Sequence, residues 1–248
     1  MPVTEALFVS RTMAAMELLA FEPLTASELA SALQVHPRTA RRLLARLVED
    51  GWVERSDGRR RTFAPTLRLV ALAAQLADRT PLARAAAPIV AALSGETGGV
   101  AHLAIPSYTS ALCLVQSAGG GREARPRLRE LVPAHASASG KVLLAFREPW
   151  RESVLRTTLA ASTARTVVDP VAIRREGAAI RERGYAVEEG EYVDGLAGIA
   201  APVRIADDSV PAALGLSLCA GGDHDLAALG ALLRHGALEL SRALEAVA

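Results

Sequence analysis

Four arginines share one spacing. Arg38, Arg41, Arg42 and Arg46 recur at i, i+3, i+4 and i+8, which places their side chains on one face of a helix. Ala40, Leu43, Leu44 and Leu47 recur at i, i+3, i+4 and i+7 on another face. An apolar back anchors such a helix to its own core, and an arginine front suits the major groove of DNA. Guanidinium forks match guanine in two hydrogen bonds. Arg38, Thr39, Arg41 and Arg42 stand at the N-terminal part of the helix, where base edges are read. Arg46, Arg59, Arg60 and Arg61 are assigned mainly to phosphate. The competing reading of any charge run is a solvated face; the flanking elements argue against it here.

Those elements read as helix, turn, helix and hairpin. Thr25 and Ser27 are candidate N-caps for the first of the two helices, and Glu28 stands three residues after Thr25, the spacing of a capping box. They are also counted in the DNA-facing set. Gln34-Val35-His36 makes the turn, with Val35 directed to the core. Pro37 opens the second helix and Gly51 stops it. Trp52–Arg55 alternates as a strand. Ser56-Asp57-Gly58 makes a tight turn, and Arg59–Phe63 returns as a two-stranded wing with arginines near its tip. A wing of this kind reaches backbone phosphate or the minor groove. Residues 38–61 hold eight arginines against four acids. The whole 248-residue chain carries a net charge of only +1, so the basic footprint is local to one module.

A first helix is predicted over Ala6–Phe21, with Met13, Met16, Leu19 and Ala20 as its apolar stripe. Thr66–Arg79 is a helix with apolar residues on nearly every face. It reads as a linker helix that packs against a partner subunit, or as an ordinary core helix. From Pro81 the pattern changes. Strands are expected at Val100–Ile105, Ala111–Val115, Leu128–Val132, Tyr185–Glu188, Leu196–Ile205 and Val210–Leu218, with Gly119-Gly120-Gly121 a loose loop. Helices are expected at Leu82–Leu93 (bent or broken at Pro88), Ser137–Phe146, Trp150–Leu159 and Asp169–Arg183, and from Asp223 to about Val247. Strand pairs with short turns, flanked by helices, predict an antiparallel α+β domain. The domains expected are residues 1–65 for DNA binding, 66–79 as linker and dimerisation helix, and 80–248 for effector binding.

Recognised catalytic patterns are absent. The triple glycine is too loose for a dinucleotide fingerprint, and Gly140-Lys141 lacks the other residues of a P-loop. Ser137 and Ser139 both miss the register of a Ser-x-x-Lys nucleophile. Histidines 36, 102, 135, 224 and 235 make no paired metal-ligand spacing. No cofactor and no metal are expected. Cys113 and Cys219 lie in apolar runs, so buried thiols and a reducing cytoplasm are expected. No apolar run reaches membrane-spanning length, and no signal peptide pattern opens the chain. Lys141 is the only lysine and follows His135-Ala136-Ser137-Ala138-Ser139-Gly140. Small residues at a helix start leave N–H groups approachable by an anion. Lys141 either adds to that site or points outward, and a plain capped helix is the alternative.

The chain resembles the isocitrate lyase regulator (IclR) family of bacterial transcription factors. The matching blocks are SRTMAAMELLA, LASALQVHPRTARRLLARLVEDGWVER, LVPAHASASGKVLLAF, RERGYAVEEGEYVDGLAGIAAPV and AALGLSLCAG, in the family's order. The resemblance implies a winged helix–turn–helix, a linker helix and an effector domain of GAF-like fold. It further implies a homodimer, often paired into a dimer of dimers, that binds double-stranded operator DNA under control of a small-molecule effector, commonly a carboxylate or aromatic metabolite. The implied effector pocket carries over to Ala138, Ser139, Glu188, Leu196, Gly198, Gly215 and Ser217. Some members place cysteine at Gly198 and serine at Gly215, so this chain's glycines suggest a larger or more apolar effector than a short keto acid. The reading from another class is a small-molecule-binding or catalytic domain whose winged helix serves protein contacts.

Overall fold

The computed structural model describes residues 3–56, 60–118, 131–222 and 224–246. It divides into two compact units, Met1–Arg79 and Thr80–Ala248. The expected turn at Asp57-Gly58, Arg59, the triple glycine and Asp223 lie outside the described residues.

In the first unit, α1 (Val3–Phe21) is followed by β1 (Leu24–Thr25), α2 (Ala26–Ala32) and α3 (Pro37–Glu49). Then come β2 (Val53–Arg55), β3 (Thr62–Pro65) and α4 (Leu67–Asp78). The stripe expected on α1 is displaced. Ala15 and Leu19 are buried, while Met13 and Ala20 are exposed. The hydrophobic cluster takes Ala15, Leu19, Leu29, Leu43, Leu44, Leu47 and Val53, with Trp52 and Phe63 packed against it. Strand β1 joins the hairpin through Leu24 opposite Phe63 and Thr25 opposite Thr62, so the wing is a three-stranded antiparallel sheet in the order β1-β3-β2. A two-residue strand has no readable period, which is why the sequence reading has two strands.

Helix α4 starts from a fixed point. Thr66 Oγ1 donates to the Gly51 carbonyl at 2.9 Å, Arg68 donates to the Asp50 carbonyl at 2.9 Å, and its guanidinium lies 4.1 Å from the Trp52 ring centre. Beyond that, Leu67, Val70, Leu72 and Leu76 are exposed on the single chain.

The second unit begins with α5 (Pro81–Thr97), β4 (Val100–Ser107), β5 (Ser110–Ala118), β6 (Leu131–Pro133), α6 (Ala138–Phe146) and α7 (Glu148–Leu155). It ends with α8 (Pro170–Arg183), β7 (Ala186–Glu189), β8 (Leu196–Val203), β9 (Ala212–Cys219) and α9 (Leu226–Glu245). Helix α5 runs through Pro88 to the left-handed Gly98, so the proline does not end it. The six strands form one antiparallel sheet in the order β6-β5-β4-β9-β8-β7.

Side chains alternate across the central strands, and the two faces differ in size. Leu103, Ile199, Val203, Leu214, Leu216 and Leu218 pack with residues of α5 and α9. Ala104, Ala200 and Ala213 turn to the other face and pack with residues of α6 and α8. His102, Gly198, Gly215 and Ser217 fall on that second face by the same alternation. Small residues there let the start of α6 approach the sheet closely. Cys113 is buried and Cys219 is exposed, which corrects the expectation that both thiols are buried. The second thiol ends β9, where the sheet face runs out.

Candidate functional site

Helix α3 is set by its two ends. His36 is the N-cap: its imidazole accepts a hydrogen bond from the Arg38 amide at 3.2 Å, and Pro37 follows at the first turn. His36 ends the expected turn, and its spacing gives no sign that its side chain caps the helix. At the other end Gly51 takes φ +75°. The Trp52 amide donates to the Leu47 carbonyl and the Gly51 amide to the Val48 carbonyl, the paired bonds of a Schellman motif. Between these ends Ala40, Leu43, Leu44 and Leu47 are buried, and Arg38, Arg41, Arg42 and Arg46 are exposed. The residues expected on one face are on one face.

Not all of this charge is equally available. Arg46 makes ion pairs with Glu49 at 3.0 Å and Asp50 at 3.1 Å. Arg60 pairs with Glu28. Glu28 also closes the capping box, accepting from the Thr25 amide and hydroxyl, each at 2.8 Å. Those bonds from Thr25, with Arg60 beside them, hold the Glu28 carboxyl below the usual carboxylate range. The Thr25 hydroxyl is therefore already committed to its helix. Ser27 and Arg61 are exposed and Thr39 is half-buried.

The second unit holds a cavity under the start of α6. Its lining includes Ala138, Ser139, Glu188, Leu196, Gly198 and Ser217, six of the seven residues expected. Gly215 lies just behind. It stands opposite His102 in the β4–β9 register, and a Cβ on it would come within 2.3 Å of His102 Nε2 and 2.4 Å of Ser139 Oγ. A Cβ on Gly198 would meet the Glu188 side chain at 3.1 Å and Ala138 at 3.3 Å. The space beside both glycines is thus taken by neighbouring side chains. Its free volume is about 20 Å³, room for about one water.

Helix α6 reaches this place because Ser137 caps it, its hydroxyl accepting from the Gly140 amide at 3.2 Å. A Cβ on Gly140 would fall 2.3–2.7 Å from the Ala134 backbone, so only glycine permits the approach. Lys141 does neither thing expected of it. It is buried, with Nζ 2.9 Å from Glu176 and 2.5 Å from Glu191. Its charge is engaged by two carboxylates rather than turned to an incoming anion.

His102 and Glu188 line the cavity, and burial shifts both. His102, which spacing alone did not single out, sits with Nε2 2.8 Å from Ser139 Oγ. Burial pushes its pKa down to about 4, so the ring is neutral at pH 7. Glu188 accepts from the Glu191 amide at 3.0 Å, and burial pushes its carboxyl up to about 7. His102 and Ser139 have the separation of a base and a nucleophile. However, Nδ1 of His102 faces the Val100 carbonyl at 3.5 Å rather than an orienting carboxylate, and so low a pKa makes a poor general base at neutral pH. Among the described residues no group of His, Cys, Asp and Glu is arranged to hold a metal, and no helix is long and apolar enough to cross a membrane.

Comparison with known proteins identifies both units. Residues 74–242 match the family described as bacterial transcriptional regulator IclR C-terminal, and residues 9–62 match the MarR family. The HTH-type transcriptional regulator BhcR of Paracoccus denitrificans is 30% identical over 79% of this chain and 70% of its own length. The Pca regulon regulatory protein of Pseudomonas putida is 29% identical over 80% of this chain and 68% of its own. Among solved structures, an IclR homolog of Microbacterium hydrocarbonoxydans in complex with 4-hydroxybenzoate superposes with a TM-score of 0.76 at 27% identity, covering 96% of this chain and 99% of that one. An α+β chain with an N-terminal helix–turn–helix and a C-terminal domain of this type, whose relatives are named as regulators rather than enzymes, belongs to the IclR family of bacterial transcriptional regulators.

Proposed function

We propose that this regulator reads its operator with α3 and that a small organic acid or aromatic compound, bound under the start of α6, alters that reading. Residues 1–65 serve as the DNA-binding domain, 66–79 as linker and dimerisation helix, and 80–248 as the effector domain of a cytoplasmic protein. One observation carries the reading: α3 buries Ala40, Leu43, Leu44 and Leu47 while Arg38, Arg41 and Arg42 stay exposed. Arg38, Thr39, Arg41 and Arg42 are the base readers. Arg46, Arg59, Arg60 and Arg61 address phosphate, and Thr25 and Ser27 start the helix beside them in the DNA-facing set.

The exposed Leu67, Val70, Leu72 and Leu76 of α4 support its role as the seam of a homodimer, because a helix with so much exposed apolar surface is stabilised by a cover. The effector pocket is supported by its lining and by the 4-hydroxybenzoate complex of the Microbacterium homolog. An effector acts only through unequal affinity for two conformations, and a cavity of about 20 Å³ has to open to admit one.

The test is selection of operator sequence from random duplex DNA with the wild type and with Arg41→Ala. The variant is expected to lose preference at one base pair and about 1–3 kcal/mol of affinity. Unchanged affinity and preference would remove α3 from the interface.

A further inference from the structure

The cavity under α6 presents a carboxyl where an acid would bind. Glu188 is buried to 5% exposure and lines the space beside Ala138 and Ser139. Its Oε1 and the Ala138 Cβ both lie within 3.3 Å of one point above Gly198, so carboxyl and helix start face the same small volume. An anion placed at the helix start therefore sits next to Glu188.

Among the described residues the cavity wall contains no lysine or arginine to offset that encounter. Lys141, one residue beyond Gly140, is held by Glu176 of α8 and Glu191 of the segment after β7. The other titratable groups around Glu188 are His102 from β4, Cys113 from β5 and Tyr192, with His135 close to Glu191 and Lys141. His102 is neutral. Two carboxylates sharing one dry site do not both ionise.

We propose that the pocket binds an organic acid together with one proton, the ligand's carboxylate accepting a hydrogen bond from a protonated Glu188. This rests on the pocket being the effector site. The proton comes from solvent, and no covalent bond forms or breaks. Between Glu188 and His102, Glu188 is the cheaper carrier. Its pKa is already near 7, whereas protonating His102 at pH 7 means overcoming a pKa of about 4. Neutral His102 and the hydroxyls of Ser139 and Ser217 complete a wall of hydrogen-bonding groups without net charge.

The experiment is calorimetric titration of the full chain with 4-hydroxybenzoate, benzoate and lactate, and with the methyl ester of each, at pH 6 to 8.5 in buffers of different ionisation enthalpy. An acid that binds is expected to take up close to one proton at pH 8 and almost none at pH 6. Its Kd should weaken about tenfold per pH unit above pH 7 and stay flat below. Glu188→Gln, a mimic of the protonated form, should bind that acid at every pH as tightly as the wild type does at pH 6. Acid binding without proton uptake at pH 8 overturns the proposal and leaves the pocket standing. So does binding of the esters but not the acids. If no acid and no ester binds, both the proposal and the effector-site reading fail. The calorimetric arm uses the wild type alone, so it decides even if the glutamine variant misfolds.

Discussion

Replacing Lys141 with methionine isolates the buried ion cluster that holds the pocket's outer segment. Lys141 is 4% exposed and Glu191 is 13% exposed. Methionine has nearly the volume of the lysine stem, so the packing loss is small and the electrostatic loss dominates. Removing one partner of a buried pair costs about 3–5 kcal/mol, because the remaining charge keeps its desolvation penalty. Glu191 already has a buried Oε2 without a partner, so it has little else to turn to. Glu176, at 28% exposure, recovers part of its hydration, and the expected loss is therefore near the lower end, about 3 kcal/mol. For a unit of this size that lowers Tm by roughly 6–12 °C. The chain has two tryptophans, Trp52 in the first unit and Trp150 in the second. In a Trp52→Phe background the fluorescence of Trp150 follows the second unit alone. Adding Glu191→Gln to Lys141→Met removes the orphaned charge, and at least half of the lost stability should return. A Lys141→Met cost under about 1 kcal/mol, or no recovery in the double variant, would show that the cluster is solvated and that the argument from burial is wrong.

Further predictions concern pH, DNA and the helix start. Glu188 is raised to about 7 and His102 lowered to about 4, so they drive stability in opposite directions. The folded state holds Glu188's proton longer than the unfolded chain, which makes stability fall as pH rises from about 4.5 through 7. It gives up His102's proton sooner, which makes stability rise from about 4 to 6.5. The two slopes largely cancel between 4.5 and 6.5. Denaturant melts should show a rise over that interval in Glu188→Gln and a fall in His102→Gln, each of up to about 3 kcal/mol; variants as flat as the wild type would refute it. Glu49→Gln with Asp50→Asn releases Arg46 and should tighten operator binding up to roughly fivefold, read by fluorescence anisotropy at low salt; no change would mean that Arg46 does not face DNA. Gly140→Ala drives a Cβ into the Ala134 backbone at 2.3 Å and is expected to destabilise the second unit by about 1–3 kcal/mol; wild-type stability would mean that α6 has room to retreat.

What the sequence by itself determined is what depends on near neighbours along the chain. The face of Arg38, Arg41, Arg42 and Arg46, its buried back, the Thr25–Glu28 capping box and the stop at Gly51 all follow from spacing within one or two turns. So do the Asp169 and Gly184 ends of α8. The pocket was legible only through family resemblance, because its residues come from separate strands and one helix. Tertiary structure alone decided three things. His102 enters the pocket because β4 lies beside β9, opposite a glycine. Lys141 turns inward because α8 and the segment after β7 bring two carboxylates to it. The glycines at 198 and 215 leave no extra room because side chains from other elements fill it. The contacts that place His102 and Lys141 span more than thirty residues, farther than any periodicity in the sequence reaches, and Gly198 meets Glu188 across a strand pairing that no spacing announces.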